Sequence, residues 1–597
     1  MPHPTFPLTT SPWIPVTDLD TTTHREVGLT EALVRADRLI YSASHRSESI
    51  ALLRLMAAAL DAACGPRSVE EWDAAWQAPT FDGGLITAYM DQWAPRLDLF
   101  HPEHPAFQCG GLTQYNRGAH HLDPASLGGD SADWFNPRVS LARAGVADYP
   151  AWAPAEAARK LLWLLSYDTA GIKRAAPGDP LAKNGKVYGA RPGPAGIVTH
   201  LHVEGHTLKD VLLLALPPQP AAGDAPVWEQ PPPPTAVRTR EPRGRQDWLT
   251  WPTRRVRLCP PAEDGAGVDR FALHDGDRIA GDNWALAHTY DPMTAWSTPA
   301  SGRGRSPMQF TDESLGEPKP WTAALLLEPG ATPRPQSSTV LQHAVEAAAR
   351  GVIPPDTPLR AVFSGIDWGT QRSVISNDPM AVMELGTAGQ LADPDQRGVM
   401  AARARYAEVV QSHLRQAARE ISGRPVELVR KRMTLTNLDH AWEGTTGPDC
   451  TREASAREAA SKEWRDALRE AAETLITQFP MNPRLQAKLS QTYMNAAPPA
   501  EESSRGAATR AEPRRPRRTP PATRGPGRPA GGTYEAFGGR YTLSQISNLE
   551  QCVVSYRTLR NRLTDPEHPD RQWTPQEVEE AATRPAARGR RRTGSDQ

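Results

Sequence analysis

Three histidines near the middle of the chain come closest, by type and spacing, to a metal site: His200, His202 and His206. Side chains alternate between the two faces of a β-strand, so His200 and His202 would share one face. A zinc site needs three or four such ligands, and no carboxylate or fourth ligand lies at a useful spacing. The pattern therefore favours three half-exposed histidines near a strand end. A histidine-dependent metal hydrolase is the less favoured alternative.

Other catalytic signatures do not stand out in the sequence. We find no P-loop, no Gly-x-Ser-x-Gly motif, no His-Glu-x-x-His motif and no paired catalytic carboxylates. The five cysteines are scattered and show no Cys-x-x-Cys spacing, which argues against a disulfide framework or a cysteine-based zinc site. We therefore predict a protein without catalytic activity and without a bound metal or other cofactor.

Two arginine-rich segments near the C-terminus indicate contact with nucleic acid. Residues 505–532 contain eight arginines and one acidic residue, and residues 584–597 contain five arginines and one acidic residue. In the first segment, Arg524, Gly527, Arg528 and Pro529 resemble the core of an AT-hook, in which arginine enters the narrow minor groove of A·T-rich DNA. A solvated basic linker is the alternative for this stretch.

Residues 533–583 regain apolar periodicity, which predicts a small helical domain. Residues 537–547 and 554–563, separated by a turn, resemble a helix-turn-helix, with a short supporting helix near residues 575–581. Ser555 would cap the second helix. The residues that would face DNA are Tyr556, Arg557, Arg560 and Asn561. A small domain that docks onto another protein is the alternative.

The rest of the chain supplies the elements that must position these residues. Apolar residues recur at helical spacing over residues 28–64, 84–99, 155–168 and 207–216, whereas residues 323–327 and 359–363 are strand-like. The predicted fold class is α+β. It comprises a large mixed N-terminal domain (residues 1–392), a C-terminal helical bundle (393–496), a disordered basic linker (497–532), a small helical, helix-turn-helix-like domain (533–583) and a basic tail (584–597).

Bulk properties predict a cytoplasmic protein. The 597 residues are long enough for several domains, and the net charge of −1 means that the body of the chain must be acidic enough to offset the basic tail. The N-terminus has no basic region followed by an apolar run, so no signal peptide is expected. No apolar stretch reaches the length of about 18 residues that a membrane span needs.

Five segments lie along the chain in an order that points to a known family: residues 13–16, 98–108, 134–136, 191–214 and 364–371. The most specific is Asp-Leu-Phe-His-Pro-Glu-His-Pro-Ala-Phe-Gln at residues 98–108. Together they resemble the CasA family, the large subunit of the type I-E CRISPR Cascade complex. A helical bundle closes the chain of that family, as we predict here. The resemblance covers residues 10–496.

The resemblance implies roles for three groups of residues. Phe135 and Asn136 would lie in a loop that approaches the protospacer-adjacent motif (PAM) of a target duplex. A glycine loop would let backbone approach DNA closely while lysines neutralise phosphates; its residues would be Gly178, Lys183, Gly185 and Lys186. A wedge inserted at a base step would be formed by Gly369, Thr370 and Gln371. The alternatives are that Phe135 is a core residue, that the glycine loop is an ordinary surface loop and that Gln371 lies at a plain hairpin tip.

The resemblance also implies partners. The protein would bind double-stranded DNA, contact guide RNA only through other Cascade subunits, pack against the Cascade backbone and small subunits, and recruit a helicase-nuclease for antiviral defence. Some members of the family carry a cysteine-rich metal knuckle, but Cys259 stands alone here, which predicts no zinc. A DNA-binding transcriptional regulator working through the helix-turn-helix remains the main alternative function.

Overall fold

The computed structural model describes residues 4–42, 46–112, 152–220, 223–261, 267–268, 271–297, 306–309, 335–336, 338–368, 372, 375–397, 533–536, 539–542, 563 and 574–583. The chain divides into two compact units, residues 1–501 and residues 502–597. Most of the predicted helical bundle (393–496), all of the predicted linker (497–532) and the strand-like run at residues 323–327 lie outside the described residues. The domain boundaries proposed from the sequence within residues 1–496 stay predictions.

Several helices of the first unit begin at a capping residue or a proline. Ser68, Asp82 and Ser338 each accept a hydrogen bond from a first-turn backbone N–H of their helix, as N-caps do. The helices are α1 (Leu29–Val34), α2 (Arg46–Cys64), α3 (Val69–Gln77), α4 (Gly83–Trp93), α5 (Pro154–Tyr167), α6 (Leu208–Leu214), α7 (Arg245–Leu249), α8 (Trp284–Ala287), α9 (Thr339–Ala349) and α10 (Ala388–Ala392).

The strands of the first unit are short and are distributed over several small sheets. They are β1 (Ile14–Asp18), β2 (Thr23–Val27), β3 (Leu39–Tyr41), β4 (Gly171–Arg174), β5 (Lys186–Ala190), β6 (His200–Val203), β7 (Arg238–Arg240), β8 (Arg254–Leu258), β9 (Phe271–Asp275), β10 (Asp277–Ile279), β11 (Trp296–Ser297), β12 (Ser306–Pro307), β13 (Pro335–Gln336), β14 (Pro358–Ser364), β15 (Asp367–Trp368), β16 (Ile375–Asn377) and β17 (Met380–Thr387). β14 contains the predicted strand-like run at residues 359–363.

Pairing between the strands is mostly antiparallel. Sheets of three strands have the orders β2-β1-β3, β12-β11-β13 and β17-β14-β6, and the hairpins or ribbons β4-β5, β8-β9 and β15-β16 are antiparallel pairs. β7 and β10 pair in parallel. The mixture of helices with antiparallel sheets confirms the α+β class at the level of the first unit.

Helix α2 runs through the middle of the core. The predicted apolar face at Ile50, Leu53, Ala57 and Leu60 is buried, but so is almost every other position of the helix from Ser47 to Asp61. Ser47 lies inside the first turn of this helix, where its hydroxyl accepts a hydrogen bond from Trp163 Nε1 at 3.0 Å. A helix buried on all sides must enclose its polar residues as well, and these need partners.

The motif at residues 98–108 is held by its own polar side chains. The Asp98 carboxylate accepts hydrogen bonds from the backbone N–H groups of Phe6 and Phe100 at 2.9 and 3.0 Å. The Gln108 side chain donates to the Leu99 carbonyl at 2.7 Å and accepts from the Leu258 N–H at 2.7 Å, so it joins this segment to β8. These contacts give the polar residues Asp98 and Gln108 a structural role in the motif.

Buried arginines pair with buried aspartates and join distant parts of the chain. Arg54 of α2 binds Asp291, and Arg245 of α7 reaches Asp61 of α2 at 2.5 Å. All four side chains are at most 3% exposed. A buried charge without its partner is strongly destabilising, so these pairs fix how the segment around residues 245–291 packs on α2.

One further expectation differs from the structure. The segment at residues 207–216 was expected to be an amphipathic helix, but α6 is buried at six of its seven positions because the core surrounds it. Within the described residues, no single helix has the length and apolar character of a membrane span. The pair α2 and α3 passes that test only when taken together, and the two are bent by 107°.

The second unit contains strands as well as helix. β18 (Thr533–Ala536) and β19 (Gly539–Thr542) form an antiparallel hairpin, and a helix, α11, spans Pro575–Thr583. The prediction of a helix over residues 537–547 is therefore wrong at residues 539–542, which are extended. The helix predicted near residues 575–581 is confirmed, and Thr574 with Glu577 forms a capping box before it. Residues 554–562 lie outside the described residues.

Buried histidines predict a loss of stability in mild acid. Burial lowers the pKa of His202 and of His288 to about 3, from 6.5 for an unburied imidazole. Between those values the unfolded chain binds protons that the folded chain does not, so the free energy of unfolding falls as the pH falls. From pH 7 to pH 5.5 we expect a loss of about 1 kcal/mol for each of the two histidines, measured by urea unfolding.

His288→Asn should reduce this pH dependence, whereas the same change at exposed His206 should leave it unaltered. A wild-type profile that is flat between pH 7 and 5.5 would contradict the assignment.

Candidate nucleic-acid interface

Four residues at the end of the β4-β5 hairpin make a tight turn that presents two lysines. Asn184 and Gly185 both have positive φ values, 52° and 71°. Lys183 and Lys186 exchange backbone hydrogen bonds of 2.8 and 3.1 Å across the turn. Asn-Gly is the pair that favours this two-residue connection, since both residues tolerate the left-handed region. The turn leaves both lysine side chains exposed, where they can neutralise phosphates.

The loop between β4 and this turn is held from inside by one carboxylate. Buried Asp179 accepts hydrogen bonds from the backbone N–H groups of Leu181 and Val237 at 2.8 and 2.9 Å. Gly178, beside it, has φ 76°, and a Cβ built there or at Gly185 would meet no atom within 4 Å. The backbone of the loop is therefore fixed while the space above these glycines is open to another molecule.

The base of the hairpin is anchored by a buried group of charges. The Asp168 carboxylate binds Lys173 Nζ at 2.7 Å and Arg254 Nε at 2.5 Å. Arg254 also donates to the carbonyls of Thr169 and Arg191, at 3.0 and 2.6 Å, on either side of the hairpin. Burial alone would raise the pKa of Asp168, but the two cations outweigh it and hold that pKa below its ordinary value. The Asp168 carboxylate is therefore ionised at neutral pH.

A second hairpin lies against the start of the first. Its strands, β15 and β16, flank residues 369–371, which are outside the described residues. Arg372, with φ 56°, accepts a backbone hydrogen bond from Ala170 at 2.9 Å, one residue before β4. Trp368 Nε1 donates to the Gly196 carbonyl at 2.5 Å. The structure thus brings together the glycine-loop hairpin and the residues that flank the predicted wedge.

Basic residues outnumber acidic ones along the β4-β5 hairpin, although one of them, Lys173, is largely buried against Asp168. Residues 171–191 contain five basic side chains and one acidic one, the buried Asp179. Burial lowers the pKa of Arg372, and the positive charge of nearby Arg191 lowers it further. Tyr188 is 48% exposed and Ile172 is 57% exposed. A cationic surface with an exposed aromatic ring is typical of a nucleic-acid contact.

Several predicted site residues cannot be placed. The following lie outside the described residues: Phe135, Asn136, Gly369, Thr370, Gln371, Arg524, Gly527, Arg528, Pro529, Ser555, Tyr556, Arg557, Arg560 and Asn561. Their roles stay predictions. Gly178, Lys183, Gly185 and Lys186 are described, and all four lie on the exposed end of one hairpin.

The histidine triplet does not form a site. His200 and His202 are buried in β6, with 0% and 6% exposure, so the expectation of half-exposed side chains is wrong for both. His200 Nε2 lies 3.3 Å from the Asp291 carboxylate, which Arg54 also binds. His206 is exposed and lies beyond the strand. In the described part of the chain no group of three or more metal-ligating side chains is found.

The sequence did not reveal the residues that build the base of the hairpin. Asp168, Lys173 and Arg254 are ordinary charged residues in the sequence, and Arg254 lies 86 residues from Asp168. The Asn-Gly pair at residues 184–185, flanked by Lys183 and Lys186, was the local signal that could have located the turn.

Comparison with known proteins gives a consistent result. Residues 7–475 match the family model described as CRISPR-associated protein Cse1. A protein from Thermus thermophilus, named CRISPR-associated protein CasA/Cse1, is 33% identical over 305 residues, which is 50% of this chain. The match spans 56% of that relative, or little more than half its length.

Solved structures share the fold over most of the chain. Cse1 from Thermobifida fusca superposes with a TM-score of 0.67 at 25% identity, covering 83% of this chain and 97% of that one. Cse1 from Acidimicrobium ferrooxidans gives a TM-score of 0.65 at 23% identity, covering 83% and 100%. A chain of a structure titled CRISPR RNA-guided surveillance complex gives 0.62 at 18% identity, covering 83% and 99%. The last two likenesses concern the fold alone.

Removing the central carboxylate should unfold the base of the hairpin. Asp168→Asn would leave largely buried Lys173 without its counter-charge and Arg254 with Asp275 as its remaining carboxylate, which should lower the free energy of unfolding by about 3 kcal/mol. The matched control is Asp282→Asn, which breaks the exposed Arg191 pair and should cost less than about 1 kcal/mol. Urea unfolding of both variants makes the comparison. Equal losses of unfolding free energy in the two variants would contradict this assignment, because the buried Asp168 pairs would then be worth no more than an exposed one.

Proposed function

The chain belongs to the CRISPR-associated Cse1 family, and from that premise we propose that it is the non-catalytic large subunit of a type I-E Cascade. In this role it recognises the PAM of a target duplex and helps to open the strands. The observation that carries the proposal is the hydrogen-bonded juxtaposition of two hairpins, one with exposed glycines and lysines and the other flanking Gln371.

DNA contact divides among three groups of residues. Lys183 and Lys186 bind phosphates and so position the duplex without reading its sequence. The open space above Gly178 and Gly185 admits the DNA backbone close to the main chain. Asn136, with Phe135 beside it, contacts base edges in the minor groove, where the pattern of donors and acceptors is degenerate and selectivity is correspondingly loose.

Strand opening is assigned to the second hairpin. Gln371, supported by Gly369 and Thr370, enters the base step next to the PAM and offsets an unstacking cost of about a few kcal/mol. Exchange of a DNA duplex for an RNA–DNA duplex is nearly balanced in energy, so the guide must pair as the wedge enters. The wedge therefore starts an opening that the guide RNA completes.

The proposed partners follow from this role. Double-stranded DNA binds the hairpin surface directly, and guide RNA is reached through the other Cascade subunits. The Cascade backbone and small subunits hold the protein in place, and a separate helicase-nuclease cuts the DNA in the cytoplasm. No turnover is assigned to this chain.

The C-terminal segments add a second DNA contact in our proposal. The family match ends at residue 475, so the arginine-rich linker and the second unit lie beyond it. Arg524, Gly527, Arg528 and Pro529 enter an A·T-rich minor groove, and the surface formed by Ser555, Tyr556, Arg557, Arg560 and Asn561 lies against DNA. Each neutralised phosphate makes this contribution weaker at higher salt.

The first test of the proposal is the salt dependence of DNA binding. The double variant Lys183→Ala/Lys186→Ala, assembled into the complex with its guide, should reduce the slope of log K against log[salt] by about 2, or roughly 0.9 for each phosphate contact. Preference for one flanking sequence over another should persist, since these contacts do not read bases. Arg350→Ala/Arg360→Ala removes two charges from exposed ion pairs and is the matched control. An unchanged slope in the lysine variant would contradict the assignment of Lys183 and Lys186 to phosphate binding.

A truncation separates this proposal from a transcriptional regulator. Removing residues 497–597 should leave guide-dependent targeting intact but weaker, because the first unit carries the PAM contact. A regulator that works through the helix-turn-helix would lose all specific DNA binding. Electrophoretic mobility shifts with target and unrelated duplexes, with and without the guide, distinguish the two.

A further inference from the structure

The outer face of the β4-β5 hairpin carries an exposed aromatic ring beside an exposed aliphatic side chain. The strand register pairs Arg174 with Lys186, and it then shifts, so that Ile172 lies opposite Tyr188 and Gly189 together. Side chains alternate between the two faces of a strand, so Lys186 and Tyr188 project from the same side of β5, whereas the side chain between them is buried. A cation and a ring therefore lie next to each other on the outer face.

The backbone that carries this ring is held in place. Arg278 Nη2 donates to the Tyr188 carbonyl at 2.6 Å, which joins the hairpin to β10. Gly189, the next residue, has φ 76°, and a Cβ built there would meet no atom within 4 Å, so the space beside the ring is open. Binding to the ring therefore requires little ordering of the strand beneath it.

The positive charge next to the ring is not neutralised by the protein. Lys183 and Lys186 are exposed, and in the part of the chain that the structure describes no carboxylate pairs with either of them. Asp179 is the one acidic residue in the sequence from 171 to 191, and it is buried, where it accepts two backbone hydrogen bonds. The occupant that complements this face therefore carries negative charge along its length.

The aromatic ring decides which form of nucleic acid fits. Inside a duplex both faces of each base are covered by its neighbours, so a side chain can stack only on a base that has left the helix. Such stacking tolerates any sequence, because every base has a π-face. Two residues along a strand span about 7 Å, so Lys186 can bind the phosphate of a nucleotide whose base lies on Tyr188. This face fits an unpaired strand better than a duplex.

An unpaired base would arise close to this ring. Arg372 directly follows the predicted wedge, and its carbonyl accepts the Ala170 N–H at 2.9 Å, two residues before Ile172. In the proposed function the wedge separates the strands there, and one of them pairs with the guide RNA. The strand that stays without a pairing partner is the displaced one.

We propose that Tyr188 is a stacking platform for one base of the DNA strand displaced when the target duplex opens. Ile172 widens the apolar surface under the base, and Lys186 binds the adjoining phosphate. The inference rests on the proposed function, because it places the opened duplex on this hairpin. Holding one displaced base offsets part of the cost of its unstacking and delays closure of the strands.

Photocrosslinking tests the contact on the purified full chain without guide RNA. The probe is a single-stranded oligodeoxynucleotide in which 5-iodouracil replaces thymine, and crosslinked peptides are identified by mass spectrometry. Wild type should form an adduct at Tyr188, since the halogenated base reacts with an aromatic ring on which it stacks. A fully paired duplex of the same sequence should give no adduct at this residue. Adducts confined to other residues would overturn the proposal.

Variants assembled into the guide-containing complex test the role of the ring. Tyr188→Leu should weaken binding of a duplex target about fivefold or more, whereas Tyr188→Phe keeps the ring and should change it less than about twofold. Leu85→Ala, at a residue of α4 that is 54% exposed, is the control and should have no effect. On a target whose flank is paired but whose displaced strand is missing, Tyr188→Leu should bind like wild type. Equal weakening on both targets would overturn the proposal.

The outcome is separable from that of the proposed function. If no adduct forms at Tyr188 while the complex still prefers targets with a particular flank, only the stacking platform fails. If the adduct forms but the wild-type chain enters no guide-containing complex, the Cascade role fails and a platform for single-stranded DNA remains. If Tyr188→Leu alone fails to enter the complex, the ring contacts another subunit and the proposal is wrong.

Discussion

The buried ion group centred on Arg254 is the constraint on which the candidate interface depends. A guanidinium that is 1% exposed must find a counter-charge and acceptors for its donors, and Arg254 finds them in Asp168 and in carbonyls on either side of β4-β5. Asp168 at the same time offsets the charge of Lys173 within the hairpin. This cluster therefore fixes the base of the hairpin that carries the lysine turn.

The same logic recurs through the first unit. Arg54, Arg245 and Arg255 are buried and paired with Asp291, Asp61 and Asp277. Replacing such pairs by apolar residues can stabilise a protein, so their presence is better understood as a way of fixing geometry than of adding stability. These ion pairs join the strands and helices of the first unit to one another. The two hairpins of the candidate interface pack against the core that results. DNA that meets a rigid, cationic surface is positioned with little loss of conformational entropy in the protein.

Local features of the sequence predicted the elements better than their surroundings. The spacing of apolar residues located α2, α4 and α5, and the run at residues 359–363 located β14, because periodicity and burial coincide there. Burial of His200 was missed, since its partners Arg54 and Asp291 lie 146 and 91 residues away and no local pattern indicates them. The lysine turn was assigned through family resemblance, although Asn184-Gly185 carries its own physical signal. At residues 539–542 an apolar pattern compatible with helix is extended instead, because strand β18 offers a pairing partner.

The central claim is that this chain gives an RNA-guided complex its preference for the sequence flanking a target. The most direct measurement is DNA binding by the complex reconstituted around the wild-type chain and a guide RNA, on duplexes that carry the same target with and without a permissive flank. The account predicts guide-dependent binding that is markedly tighter with the flank, and flank-independent binding when the chain is left out. Failure of the chain to enter any guide-containing complex, with equal binding to both duplexes, would contradict it.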